Sequence, residues 1–428
     1  MSAGYAITTN KIQLNYKHLD WFKQTQSLFD AVLAFYYKLL EKQPEALSLT
    51  NQNLLRHLEL QTIKQRDGTP PETPLPFEKI PLYFRRAAIN AAISMYRSYV
   101  GKLKAWQEGP IKSGKPSPPK RLHMSMLYYK GMYKDFDEKS ILLKLYTGKA
   151  WAWVKHRYTG RPFPENAELM SPTIVIKKKK VMLHIPVKEI VEDSRTAKER
   201  VKQNEKFVAV ALTGSDSLAV CTTIEADGRA TAPYFIKGGK ELAHRRKLLL
   251  GYTKRGIAGN GMTHTVGNAA LSVPQEHRPN KKYYDKITRL TDHYAHEVSR
   301  KIINYALKQG AKLIVLPELK ESFDQAKKPY LGKTPYDFIG RRIARYVQYK
   351  AWQKGLVAMT SKPYYASTRC YHCDTPIAKY NTEYQNPSAN FYGGKNFICK
   401  EGHRGSTALN SARNLGKGFY ERFYAGAA

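Results

Sequence analysis

Apolar and polar residues alternate along AITTNKIQLNY near the N-terminus, a period of two that predicts a strand. QTQSLFDAVLAFYYKLLEK then carries apolar residues at helical spacing. Proline-rich DGTPPETPLPFEKIP, residues 67–81, breaks the pattern before a second helical stretch, LYFRRAAINAAISMYRSYVGKLKAW. A further basic and proline-rich loop, EGPIKSGKPSPPKRL, reads either as an exposed phosphate-contacting loop or as a solvated linker. From about residue 139 the period shifts towards two. ILLKLYTGKAWAWVKHRYTG and TIVIKKKKVMLHIPVKEI predict strands joined by tight turns, with Lys177, Lys178, Lys179 and Lys180 at a hairpin tip. Lysines there guard a sheet edge against pairing with other chains, and in a basic chain they also suit phosphate contact.

EDSRTAKERVKQNEK is polar and shows no period, and a different kind of unit follows it. FVAVALTG, SLAVCTTIEADG and ATAPYFIKG predict three successive strands, the middle one housing Cys221 as a buried thiol. Basic helical ELAHRRKLLL and DKITRLTDHYAHEVSRKIINYALKQG come next, then a short apolar strand, KLIVLPEL. DFIGRRIARYVQYKAWQKG, residues 337–355, predicts another helix, leading to a strand at LVAMTS. Strands, a long helix and a further strand describe a mixed α/β sheet. No internal repeat is apparent.

Charge adds a partner to this outline. Among the 428 residues, 71 Lys plus Arg face 35 Asp plus Glu, a formal net charge of +36 spread along the chain. Such a field points to a polyanion, nucleic acid above all, rather than to a merely solvated surface. Thirty tyrosines and five tryptophans among those cations suit stacking on unpaired bases. No apolar run approaches the roughly 20 residues that span a bilayer and no signal-peptide pattern opens the chain, so no membrane partner is expected.

Three of the four cysteines cluster near the C-terminus, which argues for a metal site in a reducing compartment rather than a disulfide framework. Cys370 and Cys373, in RCYHCD, have the C-x2-C spacing of a zinc knuckle. Cys399 and, four residues on, His403 supply the second half, and His372 inside the first knuckle is the weaker fourth ligand. Three thiolates and one imidazole make a closed tetrahedral, and therefore structural, zinc site.

The order of these segments resembles TnpB, the transposon-encoded RNA-guided nuclease, and the related compact type V CRISPR effectors. LYFRRAAINAAISMYRSY resembles the family's helical recognition segment, and HEVSRKIINYALKQGAKLIVLPEL its bridging helix and second RuvC motif. YKAWQKGLVAMTSKPYYASTRCYHC is similar to the lead into its zinc ribbon, and LNSARNL to its closing RuvC helix. The resemblance implies an α/β multidomain protein: a ribonuclease-H-like RuvC domain with an inserted zinc ribbon, plus an N-terminal wedge β-barrel interrupted by a helical recognition lobe. On this chain it places the split barrel at 1–24 and 139–196, the helical lobe at 25–138, the RuvC-like domain at 205–365 and 404–428, and the ribbon at 366–403.

A RuvC site needs three carboxylates to hold the paired Mg²⁺ ions that stabilise the attacking and leaving oxygens of a phosphodiester. The first stands in a phrase like G-x-D-x-G, and VAVALTG has Ala211 there and Thr213 at the following glycine. The second ends a strand in a phrase like I-V-x-E-D-L, and IVLPELK has Pro317 there, with Glu318 one residue late and so on the opposite face of a strand. The third lies two residues before the asparagine of the closing helix, and Ala408 stands two before Asn410. Methyl groups and a pyrrolidine ring offer no oxygen to Mg²⁺, so no catalytic residue and no Mg²⁺ are expected. Asp216, Asp227, Glu318, Glu321 and Asp324 are the nearby acids that could rebuild a site by a shifted register. The ribbon departs too, lacking one cysteine of a second C-x2-C.

The resemblance thus implies a nuclease-dead, RNA-guided protein of the bacterial cytoplasm and nucleoid. It would pair a guide RNA with double-stranded target DNA beside a short flanking motif and repress transcription by blocking RNA polymerase. Arg85, Arg86, Lys177 to Lys180, Arg245, Arg246 and Lys247 are the expected nucleic-acid contacts. The alternatives are an active nuclease with displaced acids, a target selector for transposition, and an RNA-independent zinc-ribbon regulator.

Overall fold

The computed structural model describes residues 4–425 except 66–67, 110–113, 166, 215, 264–279, 320–335, 383, 390 and 392–393. The chain divides into two compact units, Ile7–Glu189 and Met1–Ala6 with Ile190–Ala428.

In the first unit the alternating N-terminal segment forms β1 (Tyr5–Leu14), and its helical neighbours form α1 (Leu19–Lys42), α2 (Asn51–Leu60) and α3 (Leu82–Glu108). The strands are β2 (Met126–Leu127), β3 (Tyr133–Lys134), β4 (Ser140–Tyr146), β5 (Trp151–Thr159), β6 (Glu168–Leu169), β7 (Thr173–Lys177) and β8 (Lys180–Ile190). They make an eight-stranded sheet in the order β2-β7-β8-β1-β5-β4-β3, with β6 on β8. Strand structure already resumes at Met126, ahead of the shift in period near residue 139, because β2 and β3 are too short to show alternation. One apolar core joins sheet and helices, with Phe29 of α1 edge-on to Phe84 of α3 at 5.4 Å and Phe84 against Trp151 of β5 at 5.0 Å.

The second unit is built on the predicted mixed sheet. Its strands are β9 (Phe207–Leu212), β10 (Ser217–Ile224), β11 (Ala230–Lys237), β12 (Leu313–Pro317) and β13 (Val357–Ser361), in the order β11-β10-β9-β12-β13. β9 to β11 are antiparallel, whereas β12 lies parallel to β9 and β13 parallel to β12. Parallel neighbours need a crossover, supplied by α6 (Lys281–Lys308) before β12 and α7 (Tyr336–Gln353) before β13, while α5 (Gly239–Thr263) precedes α6.

Alternate strand residues serve two cores. Val208, Val210, Ile314 and Leu316 pack with α6 and α7. Phe207, Ala209, Leu313 and Val315 pack with Leu415 and Phe419 of α8 (Thr407–Phe423). At Gly416 this helix comes so close that a Cβ would lie 2.6 Å from Ile224 and 3.0 Å from Ala209. Only glycine lets the backbone sit there. A third sheet, β14 (Ile377–Tyr380), β15 (Asn396–Cys399) and β16 (Arg404–Ser406), lies between β13 and α8 in sequence.

The segment without a period holds a helix after all. α4 (Ala197–Lys202) is nucleated by a capping box of Thr196 and Glu199. It exists to carry Arg200, whose fully buried guanidinium donates to the carbonyls of Arg195, Lys312, Asp193 and Gly355 at 3.0–3.1 Å and pairs with Asp193 at 3.2 Å. Residues ahead of β9, ahead of β12 and ahead of β13 are thereby tied to one cation. Arg200→Ala strands those acceptors, and denaturant unfolding should show a loss of about 3–5 kcal/mol.

Candidate functional site

The four predicted metal ligands meet. Cys370 donates its N–H to the Thr375 carbonyl at 2.8 Å and accepts from the N–H of Asp374 at 2.9 Å, with Asp374 in the left-handed region (φ 57), so the first knuckle folds back on itself. In the second half, the N–H of Cys399 donates to the His403 carbonyl at 3.1 Å around Gly402, whose φ of 78 suits glycine. Cys373 Sγ lies 3.6 Å from Cys399 Sγ, which lies 3.4 Å from His403 Nδ1, and the ligand atoms of all four residues fall within 4.8 Å of one another. A tetrahedral zinc ion, with Zn–S near 2.3 Å, holds its sulfurs about 3.8 Å apart, so this donor set fits a metal such as zinc.

The protein's own electrostatics favour the ligating thiolate at Cys373 but not at Cys370. Hydrogen bonds from Thr375, then from His403 and Cys399, pull the Cys373 thiol down to about 6. Burial pushes the Cys370 thiol up. His372 stands outside the cluster, its ring stacked on His403 at 5.1 Å.

Two asparagines of α8 hold the approach to the first knuckle. Asn410, buried, donates to the Arg369 carbonyl at 2.7 Å and accepts from the N–H of Tyr371 at 2.8 Å. Asn414, one turn on and so on the same face, donates to the carbonyls of Arg369 and Ala366 at 2.7 and 3.1 Å. In sequence Asn410 is only a landmark for a missing aspartate; the structure shows it as a clamp. The signal that could have found this is the i, i+4 pair of asparagines in LNSARNL.

The three positions expected to carry carboxylates belong to the elements around this sheet end. β12 pairs with β9 as Leu313 with Phe207 and Val315 with Ala209, so two residues further Pro317 comes level with Ala211. By alternation both face α8, the helix on which Ala408 stands in the first turn. Glu318 alternates to the other face and is exposed, its N–H donating to the Ser361 carbonyl at 2.9 Å.

Asp216 is held by Lys240 at 3.5 Å and Lys395 at 3.1 Å. Asp227 lies beyond Ile224, which pairs with Phe207, and is therefore at the opposite end of β9 from Ala211. Glu321 and Asp324 fall outside the described residues.

The expected nucleic-acid contacts part company. Arg85 and Arg86 both embrace Glu59 of α2, each with an Nη2 to carboxylate oxygen distance of 2.9 Å; the Glu59 side chain is 7% exposed, Arg85 is largely buried and Arg86 keeps 40% of its side chain exposed. Burial alone would raise that carboxyl, but the hydrogen bonds from Arg86 and Arg85 outweigh it and hold it below its ordinary value. Lys177 to Lys180 are exposed at the β7–β8 tip, with Lys178 at φ 54 making the turn. Arg245 pairs with Glu241 at 2.7 Å, Arg246 is half-buried and Lys247 is exposed. Arg245, Lys286 and Arg289 rim a groove of about 500 Å³ between α5 and α6, floored by Leu248, Leu249 and Leu290. No helix among the described residues is long and apolar enough to cross a membrane.

A model of the Aq_aa04 family matches residues 6–147. The CRISPR-associated endodeoxyribonuclease Cas12f1 of Sulfoacidibacillus thermotolerans is 28% identical over 139 residues, and that match spans 32% of this chain and 29% of the relative. Among solved structures, a Cas12f1–sgRNA–target DNA complex matches with a TM-score of 0.59 at 14% identity, covering 94% of this chain and 83% of that one. The mini-RNA-guided endonuclease CRISPR-Cas_phi3 matches with a TM-score of 0.52 at 10% identity, covering 96% and 93%. The fold is that of the Cas12-type effectors, RuvC-containing α/β multidomain proteins. The resemblance to TnpB-like and compact type V proteins carried by the order of motifs is borne out.

Asn410→Ala leaves the Tyr371 N–H without its partner. A chelator competition on the metal-loaded protein should show metal affinity reduced about 10- to 100-fold. Cys373→Ser, which removes a ligand, should abolish stoichiometric metal.

Proposed function

We propose that this protein uses a guide RNA to bind matching double-stranded DNA beside a short flanking motif without cutting it. Bound at a promoter in the bacterial nucleoid, it represses transcription by standing in the path of RNA polymerase. The observation that carries this reading is the set Ala211, Pro317 and Ala408, two of them level on neighbouring parallel strands and facing the helix of the third. These side chains give a hard cation no oxygen, and without paired metals the phosphodiester has nothing to stabilise its attacking and leaving oxygens.

Binding is a separate matter, because sequence in such systems is read by base pairing and the protein supplies a basic frame. Support for RNA and DNA as partners comes from the fold shared with a protein solved with sgRNA and target DNA, and from the net charge of +36. On this reading the eight-stranded sheet is the wedge barrel, α1 to α3 belong to the recognition lobe, and the Cys3His cluster holds a structural zinc ion in a ribbon inserted in the RuvC-like domain.

The test begins with RNA that copurifies with the protein, whose sequencing should return one defined species and hence the target. With that guide, matched duplex should be retained in a gel-shift assay and remain uncut in Mg²⁺ or Mn²⁺. Guide-dependent cleavage would overturn the proposal. Replacing Lys177 to Lys180 together by Ala should flatten the log–log salt dependence by about 0.7 to 0.9 for each phosphate that these lysines neutralise.

A further inference from the structure

Directly after β13, the segment KPYYASTR leaves the sheet at the end that carries Ala211 and Pro317, since Ser361 pairs with Pro317. Tyr364 and Tyr365 are 61% and 66% exposed, large aromatic faces that no core uses. Tyr365 also has φ 49, in the left-handed region that bulky side chains avoid. Strain of that kind persists only where the surroundings impose it. Here the Tyr365 carbonyl accepts from the N–H groups of Thr368 and Arg369 at 3.0 and 3.1 Å, closing the turn on which the ring sits.

Each ring carries a cation. The Arg422 guanidinium lies 5.4 Å from the Tyr364 centroid, and that of Arg369 lies 4.8 Å from Tyr365 while also donating to Asp374 at 2.6 Å. The neighbouring pair, Tyr371 with Arg413 at 5.6 Å, is half-buried and serves as packing. The outer two pairs are open. A tyrosine with a guanidinium over one face keeps the other for a flat partner, and the cation can reach a phosphate next to that partner. Bases inside a duplex have both faces covered, whereas every unpaired base offers its π-face, so the platform suits unpaired bases.

We infer that Tyr364 and Tyr365 form a stacking platform for the displaced DNA strand, with Arg422 on its phosphates. This rests on the RNA-guided reading, in which pairing of the guide with one strand releases the other. Capture of the released strand opposes reannealing and keeps the duplex open where no cut removes it.

The test uses the full chain. A short labelled oligodeoxynucleotide should bind, and Tyr364→Ala with Tyr365→Ala should weaken it between about fivefold and about 150-fold per stacked base. Tyr364→Phe with Tyr365→Phe, which keeps both rings, should leave it unchanged, and unaltered metal content and circular dichroism show that the Ala protein is folded. With guide loaded, the Ala protein should lose affinity for matched duplex but not for the target strand alone, where no displaced strand exists. Equal binding by both proteins on oligonucleotide and duplex overturns the inference, as does the same loss on the target strand alone or tighter binding of the matching oligoribonucleotide. Should the wild-type chain ignore guided duplex while the oligonucleotide result stands, the RNA-guided reading falls and the platform for unpaired DNA remains.

Discussion

The second unit depends on how closely α8 can lie against its sheet. At Gly416 the helix backbone occupies space that any side chain would contest with Ile224 and Ala209. That approach sets the depth at which Leu415 and Phe419 meet Phe207, Leu313 and Val315, and interiors at crystal-like density transmit a shift of even one methyl group. The same rigid rod then presents Asn410 and Asn414 to the segment entering the first knuckle and carries Ala408 in its first turn. One close approach therefore positions two sites of different character, one able to hold a metal through sulfur and nitrogen, the other offering only carbon where oxygen would be needed.

How much of this is legible in the sequence depends on whether the determinant is local. The strands at FVAVALTG and KLIVLPEL are continuous apolar runs because both faces of their sheet are covered, and a run of that kind announces itself. The cysteine spacing is equally local, since a turn of fixed length must bring two sulfurs to one ion. α4 escapes a reading by period because a six-residue helix has none to display; its reason is Arg200, whose acceptors lie as far along the chain as Gly355. Arg85 and Arg86 look like free cations in sequence for a similar reason: Glu59, which claims both, sits on another helix. Alternation on β12 is enough to set Glu318 apart from Pro317, but only the pairing with β9 brings Pro317 level with Ala211.

The proposed activity and the fold make a consistent pair. A frame that opens duplex DNA must hold two strands, one by pairing and one by the protein, and a basic chain rich in tyrosine has means for the second. On the proposed reading the strand that reaches the apolar face is held rather than cut, so the lifetime of the complex becomes the working quantity. For a repressor that is the useful property, since occupancy rather than turnover determines the effect.

The ion triad around Glu59 bears on how strongly the protein senses its ionic surroundings. One carboxylate set between two guanidinium groups cancels one of their two charges, so the triad offers a nucleic acid a single net charge. The same holds, more weakly, for the cations that cover Asp193, Asp216 and Asp292. The electrostatic valence that any polyanion meets is thus smaller than a tally of lysines and arginines implies, so the salt dependence of the proposed complexes would be shallower than the composition suggests.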